Sequence, residues 1–325
     1  MKLTKKELNT VCKEYNLGKV KSIKPMTSGW VNFSFDLKTD KGAFVVQIIG
    51  DKLSDYKKAN LEREFKLLKY LKKKKFPYKI PYPILNSKGK EILHIASKNL
   101  WVYNKIKGNI TEKQINLKQY RQIAKALALF HKYTKNFKGT ENDEKREVDW
   151  LFLQYKKISK IKPKDEVDKI MLENVGLFSK VLQNVKDIHD GKKNILHDDF
   201  TERNCLFVKG KLVGIIDFDN VRMKPIERDF AISIKRIYYI THQLTQQKTE
   251  IFLKEYRKYY PFPKSKEKNL IKMALRDNCM LFWWFYEGMN KNNDKRYQSL
   301  LWLAKETKDL VKKSKIFSNK INNNN

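Results

Sequence analysis

The 325-residue sequence lacks several features that mark whole classes of protein. Its three cysteines, Cys12, Cys205 and Cys279, form no Cys-x-x-Cys pair and no even-numbered framework, which argues against a disulfide scaffold and against a structural zinc site. No apolar run approaches the roughly 18 residues that span a bilayer. The first residues contain no apolar segment typical of a signal peptide. We therefore expect a cytoplasmic protein that does not insert into membranes.

Acidic residues are also scarce. The chain has 36 Asp and Glu against 70 Lys and Arg, a formal net charge of +34. A nucleic-acid-binding protein concentrates its basic residues on one face or tail, whereas these lysines are spread along the whole chain in short runs such as Lys72–Lys75. The pattern favours a solvated, lysine-rich surface without a specific nucleic-acid partner. Hydrophobic residues make up 41% of the chain, which is enough for a sizeable core and excludes a disordered polycation.

Hydrophobic periodicity separates a β-rich part from a helical part. The β-rich part has the strand-like runs Phe33–Leu37, Ala43–Ile49, Glu91–Ala96 and Leu100–Tyr103, and the helices Leu3–Tyr15 and Ser54–Lys74. The helical part has periodic segments at Leu117–His131, Val148–Lys160, Glu166–Lys186, Phe230–Leu244, Lys248–Tyr259, Lys266–Tyr286 and Lys295–Lys312, interrupted at 195–216. The predicted domains are a small lobe, 1–104, a helical lobe, 105–314, and a disordered Lys- and Asn-rich tail, 315–325.

The interruption in the helical part contains polar residues placed at the ends of apolar strands. Asp199 and Asn204 lie five residues apart, and a predicted hairpin with its turn at Lys209–Lys211 separates them from Asp217 and Asp219. Phosphoryl transfer from ATP requires a carboxylate that orients and deprotonates the acceptor hydroxyl, and hard oxygen ligands for Mg²⁺. The spacing Asp-x₄-Asn is that of the kinase catalytic loop. The segment therefore predicts a phosphotransferase site.

The predicted roles follow from this chemistry. Asp199 is the candidate base for the acceptor hydroxyl, and Arg203 is positioned in sequence to steady the transferring phosphoryl group. Asn204 and Asp217 are the candidate Mg²⁺ ligands, with Asp219 as a helper.

The same residues resemble the aminoglycoside phosphotransferase/choline kinase superfamily, small-molecule kinases related in fold to protein kinases. Its members carry a loop close to His-Gly-Asp-x₄-Asn, then a hairpin and Ile-Asp-Phe/Trp-Asp/Glu, which His197, Asp199, Asn204 and 216–219 match in order. The segment 225–231 resembles the family's Pro-x₃-Asp-Leu-Ala. The resemblance implies that Asp229 braces the catalytic loop and that His197 orients it. It implies an α+β, bilobal protein-kinase-like fold, with a small antiparallel-sheet lobe and a larger helical lobe.

The resemblance extends into the β-rich part, and the opening through Asn32 reads most like the homoserine-kinase-type branch. It implies ATP binding by the segment 26–32 and by the backbone near a predicted hinge. The residues so assigned are Ser28, Gly29, Asn32 and Ile106. Glu64 is the candidate for the small-lobe helix glutamate that pairs with a strand lysine in the family. Gln47 stands where that lysine is expected, and Asp198 replaces the glycine of the catalytic loop.

The acceptor is the least determined part of the sequence interpretation. The aromatic run 283–286 is typical of a buried helix, or it forms a wall of the acceptor pocket through Trp284, with Asp277 and Glu287 recognising a cationic amine. Homoserine, another amino alcohol, an amino sugar and a simple sugar all fit a hydroxyl acceptor. The alternatives are a catalytically weak kinase-like scaffold or spore-coat-type protein, suggested by Gln47 and Asp198, and a basic nucleic-acid-binding protein, suggested by charge alone. The sequence leaves the oligomeric state open.

Overall fold

A computed structural model describes residues 3–26, 33–50, 55–110, 115–139, 144–185, 193–241, 246–288 and 295–322. Backbone contacts group the chain into two units. The first unit is Met1–Phe137 with Glu202–Val221, and the second unit is Lys138–Thr201 with Arg222–Asn325. The predicted lobe boundary between residues 104 and 105 remains a prediction about the organisation of the chain.

A five-stranded antiparallel sheet with the order β1-β2-β3-β5-β4 forms the frame of the first unit. Its strands are β1 Val20–Met26, β2 Phe33–Thr39, β3 Ala43–Gly50, β4 Ile92–Ile95 and β5 Lys98–Asn104. The strand-like runs Phe33–Leu37, Ala43–Ile49, Glu91–Ala96 and Leu100–Tyr103 correspond to β2 to β5, so these four predicted strands are present. β1 was not predicted because lysines and Pro25 break its alternation, as is common in edge strands that must not pair further.

Helices cover both faces of this sheet. Helix α1, Lys5–Glu14, begins with a capping box, in which Thr4 Oγ1 accepts from the Glu7 amide at 3.2 Å, and shares a core with Val46 and Ile48 of β3. On helix α2, Asp55–Lys73, Phe65 meets the ring of Trp101 edge-on, with centroids 5.2 Å apart. Because successive strand residues face opposite sides, Gln47 and its cross-strand partner Trp101 lie on the α2 side.

The remainder of the first unit joins helix α3, Leu117–Thr134, to a small sheet with the order β6-β8-β9. The strands are β6 Asn109–Ile110, β8 Cys205–Val208 and β9 Lys211–Ile215. The hairpin predicted around residues 209–211 is therefore present. Its turn residues Lys209 and Gly210 both have positive φ, 47° and 74°, which is typical of a two-residue hairpin turn.

The Pro-rich segment between α2 and β4 pairs with β9 through its backbone at Lys79. The Lys79 amide donates to Val213 O at 3.0 Å, and Lys79 O accepts from the Ile215 amide at 2.9 Å. Gly214 permits this approach, because a Cβ there would lie 2.8 Å from Ile106 Cγ2 and 3.2 Å from Lys79 O. Glycine at 214 thus lets the linker and the segment after β5 meet the hairpin that carries Asp217.

Six helices build most of the second unit. They are α4 Glu144–Ile158, α5 Glu166–Val185, α6 Glu227–Thr241, α7 Gln246–Arg257, α8 Asn269–Trp283 and α9 Lys295–Asn322. Helix α8 is central and contacts α4, α5, α6 and α9. Its Phe282 stacks on Phe178 of α5 with ring centroids 3.8 Å apart. Helical periodicity predicted all six, and α9 continues past its predicted end at Lys312.

Two details of the second unit were not predicted. Helix α8 passes into a π-helical turn at Trp284–Gly288, so the aromatic run is only partly α-helical. Strands β7 Lys193–Leu196 and β10 Arg222–Pro225 form an antiparallel pair that flanks the catalytic segment in sequence. Each has four residues and no clear alternation, and β10 ends in a proline, so neither carries a strand signal.

Candidate active site

The hairpin of the first unit brings the two ends of the predicted metal-binding segment together. Asn204 is buried at the end of a single 3₁₀ turn, Glu202–Asn204, directly before β8. Cys205 pairs with Ile215, and the Ile216 amide donates to Asn204 O at 2.9 Å. Asp217 is the next residue and is exposed. Pairing within the hairpin therefore makes the backbones of Asn204 and Asp217 neighbours, although 12 residues lie between them in sequence.

Negative charge is concentrated near Glu64 of α2. Burial raises the pKa of the Glu64 carboxyl well above its ordinary value, and the charge of Asp219 raises it further. Burial likewise raises the pKa of Tyr103, with additional contributions from Asp217 and Glu64. Arg63, beside Glu64, donates to Val221 O at 3.2 Å and so ties α2 to the segment that follows Asp219. A nearby cation would favour the charged form of the Glu64 carboxyl, which burial and Asp219 disfavour.

The oxygen donors of this region fit a hard divalent ion. Asn204, Asp217 and Asp219 offer one amide and two carboxylate groups, the type of ligand that Mg²⁺ prefers. Within the part of the chain that the structure describes, no group of three or more His, Cys, Asp or Glu side chains is arranged as a metal site. The predicted Mg²⁺ ligands are two carboxylates, Asp217 and Asp219, and the amide of Asn204. A set with only two acidic residues is not a group of this kind.

The predicted nucleotide residues have different positions. Gln47 is half-buried on the α2 side of the sheet, where its side chain is a neutral amide in place of the expected lysine. Ile106 is buried directly after β5 and lies against Gly214. Ser28, Gly29 and Asn32 lie outside the described residues.

Asp229 braces the catalytic loop of the second unit through the loop's backbone. It is fully buried in the first turn of α6, and its two carboxylate oxygens accept from the amides of His197 at 3.0 Å and Asp198 at 2.8 Å. His197 is also fully buried, and its ring meets Phe200 edge-on with centroids 5.4 Å apart. These contacts fix the backbone directly before Asp199, which is half-buried.

The aspartate that replaces the family's glycine is held by two arginines. Asp198 has φ of 62°, the left-handed region that glycine adopts readily and aspartate tolerates better than most residues. Its carboxylate contacts Nε of Arg228 and accepts from Arg228 Nη2 at 3.3 Å, and it lies 3.5 Å from Arg222 Nε. Asp198 therefore has a backbone conformation that glycine adopts readily, and two arginines anchor its carboxylate.

A network of buried charges extends from Asp198, and the sequence interpretation missed it. Arg228 Nη2 lies 3.0 Å from Asp277 Oδ1, and Lys235 contacts the other oxygen of Asp277. Glu147 of α4 lies 2.7 Å from Lys224 Nζ. Arg228 had one usable signal, its place beside Asp229 in the matched motif. Glu147 had none, because it becomes close to β10 only in the folded chain.

The other candidate residues are also placed. Asp277 is buried and contacts two cations, Trp284 is partly buried with its ring 5.4 Å from that of Phe285, and Glu287 is exposed in the π-helical turn. Arg203 is exposed, with Nε 3.7 Å from a carboxylate oxygen of Glu202. Their roles with acceptor or phosphate remain predictions.

Comparison with known families assigns the chain. Residues 22–262 match the model of the phosphotransferase enzyme family, which includes Glu64, the braced loop and the hairpin. The chain belongs to this family. It is therefore a phosphotransferase, a kinase that acts on small molecules.

Curated relatives of this phosphotransferase agree with the predicted branch. This chain is 22% identical over 228 residues to a homoserine kinase of Methylocella silvestris, and the match covers 70% of this chain and 68% of the relative. It is 24% identical over 274 residues to a homoserine kinase of Afipia carboxidovorans, covering 82% and 79%. The predicted resemblance to the superfamily and to its homoserine-kinase-type branch is confirmed.

Solved structures confirm the predicted protein-kinase-like α+β fold of the phosphotransferase. An amicoumacin kinase has a TM-score of 0.69 at 15% identity, with 93% of this chain and 92% of that chain covered. A spectinomycin phosphotransferase has a TM-score of 0.68 at 14% identity, with 95% of each chain covered. A microcompartment-associated aminopropanol kinase has a TM-score of 0.63 at 13% identity, with 92% and 95% covered.

Two further expectations can be compared with the described residues. Cys12, Cys205 and Cys279 are buried and form no disulfide within the described residues. None of the helices in the described ranges has both the length and the apolar character needed to cross a bilayer.

Proposed function

We propose that this phosphotransferase moves the γ-phosphate of ATP to a hydroxyl of a small metabolite, with homoserine and related amino alcohols as the first acceptors to test. The main support for this proposal is the hairpin that makes Asn204 and Asp217 backbone neighbours. The loop that precedes the hairpin in sequence is held by hydrogen bonds from the His197 and Asp198 amides to Asp229. The homoserine kinase relatives support the acceptor class. The similar amicoumacin kinase was solved with AMP-PNP and Ca²⁺, and the spectinomycin phosphotransferase with ADP, which supports an adenine nucleotide.

In the proposed mechanism Asp199 orients the acceptor hydroxyl and takes its proton as the oxygen attacks the γ-phosphorus, while the bond from this phosphorus to the β,γ-bridging oxygen breaks and ADP leaves. Asp229 keeps the loop rigid, so that Asp199 does not lose orientation when substrate binds. Asn204 and Asp217 would hold Mg²⁺, with Asp219 as helper; when bound, the ion neutralises charge on the phosphates. Glu64 and Gln47 order the phosphate subsite, and Arg203 steadies the transferring group.

The base assignment is tested by replacing Asp199. Asp199→Ala and Asp199→Asn should lower kcat by about 10² or more, because neither side chain can accept the hydroxyl proton. A coupled ADP-release assay with homoserine, amino alcohols, amino sugars and sugars measures this. Asp149→Asn, which alters an exposed carboxylate of α4, is the matched control and should retain full activity. An Asp199→Ala variant with wild-type turnover would refute the assignment.

A kinase-like scaffold with little turnover is a second candidate, and Gln47 is the observation that favours it. Unlike the lysine expected at this strand position, Gln47 has no positive charge with which to bind a phosphate. Isothermal titration with Mg-ATP, combined with the turnover assay, separates the two functions. Binding of Mg-ATP without ADP release for any acceptor would favour the scaffold, whereas turnover with any member of the panel would eliminate it.

A further inference from the structure

The charge network of the second unit is a candidate subsite next to the catalytic loop, and its interpretation rests on the proposed function. Five cationic side chains and three carboxylates form one connected set of ion pairs. The cations are Arg222, Lys224, Arg228, Lys235 and Arg276, and the carboxylates are Glu147, Asp198 and Asp277. The set begins at Asp198, directly beside Asp199.

Positive charge is most concentrated at the Glu147 end of this set. The Glu147 carboxylate lies 2.7 Å from Lys224, 3.8 Å from Arg222 and 3.8 Å from Arg276. Two other carboxylates near the loop have different functions. Asp229 accepts hydrogen bonds from the backbone amides of His197 and Asp198, and Asp199 is the proposed base.

The pKa values of Glu147 and Lys224 agree with an excess of positive charge around this ion pair. Burial raises the pKa of Glu147, but Lys224, Arg228 and Arg222 outweigh this and lower it to about 2. Burial, and then the charge of Arg228, lower the pKa of Lys224 even though Glu147 is its close partner. A second anion would relieve the repulsion among these cations.

One cation of the set is accessible to a ligand. The Arg222 side chain is 21% exposed, whereas those of Lys224, Lys235 and Arg276 are at most 7% exposed. Arg222 follows the hairpin and begins β10, which pairs with β7. Its guanidinium lies between Asp198, at 3.5 Å, and Glu147, at 3.8 Å, and the planar fork of arginine suits a carboxylate.

We propose that the acceptor carries a carboxylate as well as its hydroxyl, and that Arg222 binds this carboxylate while Arg276 and Lys224 supply positive charge behind it. Asp277, whose two oxygens already contact Arg228 and Lys235, belongs to this network and does not receive a cationic amine. The subsite selects hydroxy acids, including hydroxy amino acids, over polycationic sugars.

Three acceptors with related carbon chains test the proposal in the ADP-release assay. L-Homoserine has the hydroxyl, a carboxylate and an amine; 4-hydroxybutanoate lacks the amine; 3-aminopropan-1-ol lacks the carboxylate. We expect kcat/KM for 3-aminopropan-1-ol to be about tenfold or more below that for the two carboxylates, because a charge-assisted contact contributes at least that factor. Equal or better use of 3-aminopropan-1-ol would overturn the proposal.

Variants of Arg222 assign the contact. Arg222→Gln should raise KM for the carboxylate acceptors about tenfold to a hundredfold while KM for Mg-ATP stays unchanged, and Arg222→Lys should recover part of the loss. Lys254→Gln removes a charge from an exposed position on α7 and should behave as wild type. A rise in KM for Mg-ATP in place of the acceptor would assign Arg222 to the nucleotide and contradict the proposal.

Direct binding separates this proposal from the proposed function. If no acceptor is phosphorylated, the proposed function fails, and the thermal-shift response still decides the subsite. An increase in Tm with 4-hydroxybutanoate but not with 3-aminopropan-1-ol, present in wild type and in Lys254→Gln and absent in Arg222→Gln, would support the carboxylate site. Equal responses to both probes, or an unchanged response in a folded Arg222→Gln variant, would refute it.

Discussion

Asp198 and Asp217 are the two described aspartates held in the left-handed backbone region, with φ of 62° and 69°. Such conformations cost energy for residues other than glycine and persist where the surroundings impose them, often at functional sites. At Asp198 the surroundings are known in detail, because Asp229 accepts its amide proton and Arg228 and Arg222 contact its carboxylate. The hydrogen bond from the Asp198 amide and the contacts of its carboxylate thus hold an aspartate in a backbone region that favours glycine.

The charge of Glu147 makes stability depend on pH. Its pKa is lowered to about 2 from 4.5, so the folded state releases this proton more readily than the unfolded state. The corresponding stability is present above the unfolded pKa and is lost as pH falls towards about 2, an effect on the order of 3 kcal/mol. Glu147→Gln should therefore be less stable than wild type near neutral pH.

Urea unfolding of both proteins between about pH 7 and about pH 3 measures this effect. The difference in free energy of unfolding should narrow as pH falls, because below the unfolded pKa of 4.5 the unfolded wild type binds a proton at Glu147 while the folded protein does not. Asp149→Asn, at an exposed position on the same helix, is the control and should follow wild type throughout. A difference that stays constant across the range would show that the low pKa does not contribute to stability.

At the scale of elements, the start of α6 and the β8–β9 hairpin hold the backbone next to the proposed catalytic and metal-binding residues. The first turn of α6 supplies Asp229, whose carboxylate accepts hydrogen bonds from the backbone amides of His197 and Asp198, directly before Asp199. The hairpin, closed by the Ile216–Asn204 hydrogen bond, sets the positions of Asn204 and Asp217. A change within either element should therefore alter turnover without a change in the chemical groups.

Asp229→Asn and Asp229→Ala separate these contributions. The alanine variant leaves two buried amides without acceptors, which costs about 2 to 6 kcal/mol of stability in total. The asparagine variant retains one carbonyl acceptor, so its loss of stability should be smaller. We expect kcat to fall in both variants, more in alanine, while KM for Mg-ATP changes little. Thermal unfolding and ADP-release kinetics test this, and an alanine variant with unchanged kcat would refute the bracing role.

For the whole molecule, the net charge of +34 predicts a salt-sensitive encounter with anionic Mg-ATP. The Debye length shortens from about 30 Å at 0.01 M salt to about 3 Å at 1 M, so kcat/KM for ATP should fall several-fold over this range. Turnover at saturating ATP should change much less, because long-range attraction affects encounter and not the bound complex. Equal salt dependence of kcat and kcat/KM would contradict this explanation.

The same charge keeps the nucleic-acid alternative testable. A surface effect predicts weak binding to DNA or RNA that disappears towards physiological salt and has no sequence preference. Filter binding across a salt series measures it. High affinity or sequence preference at about 0.15 M salt would restore the nucleic-acid function.

The sequence predicted those elements whose signals are local. The apolar period of α3 and the apolar strands around the 209–211 turn each fix an element within one short segment, and both are present. Edge strand β1 was missed because lysines and Pro25 break its alternation, and the β7–β10 pair was missed because its two short strands become neighbours only in the folded chain. The family was also accessible from the sequence, since its motifs combine residue type with spacing.

The fold class, the family and the candidate catalytic residues could be inferred from the sequence, because catalytic chemistry requires particular side chains at fixed intervals. The pairing of the buried charges became apparent only in the folded chain. The carboxylates of Glu147, Asp198 and Asp277 come from different elements, and their cations from still others. Long-range electrostatics depends on distance and burial, which sequence spacing does not specify. For this reason the carboxylate subsite at Arg222 could be proposed only from the folded chain, whereas the sequence motifs were sufficient to predict the phosphotransferase chemistry.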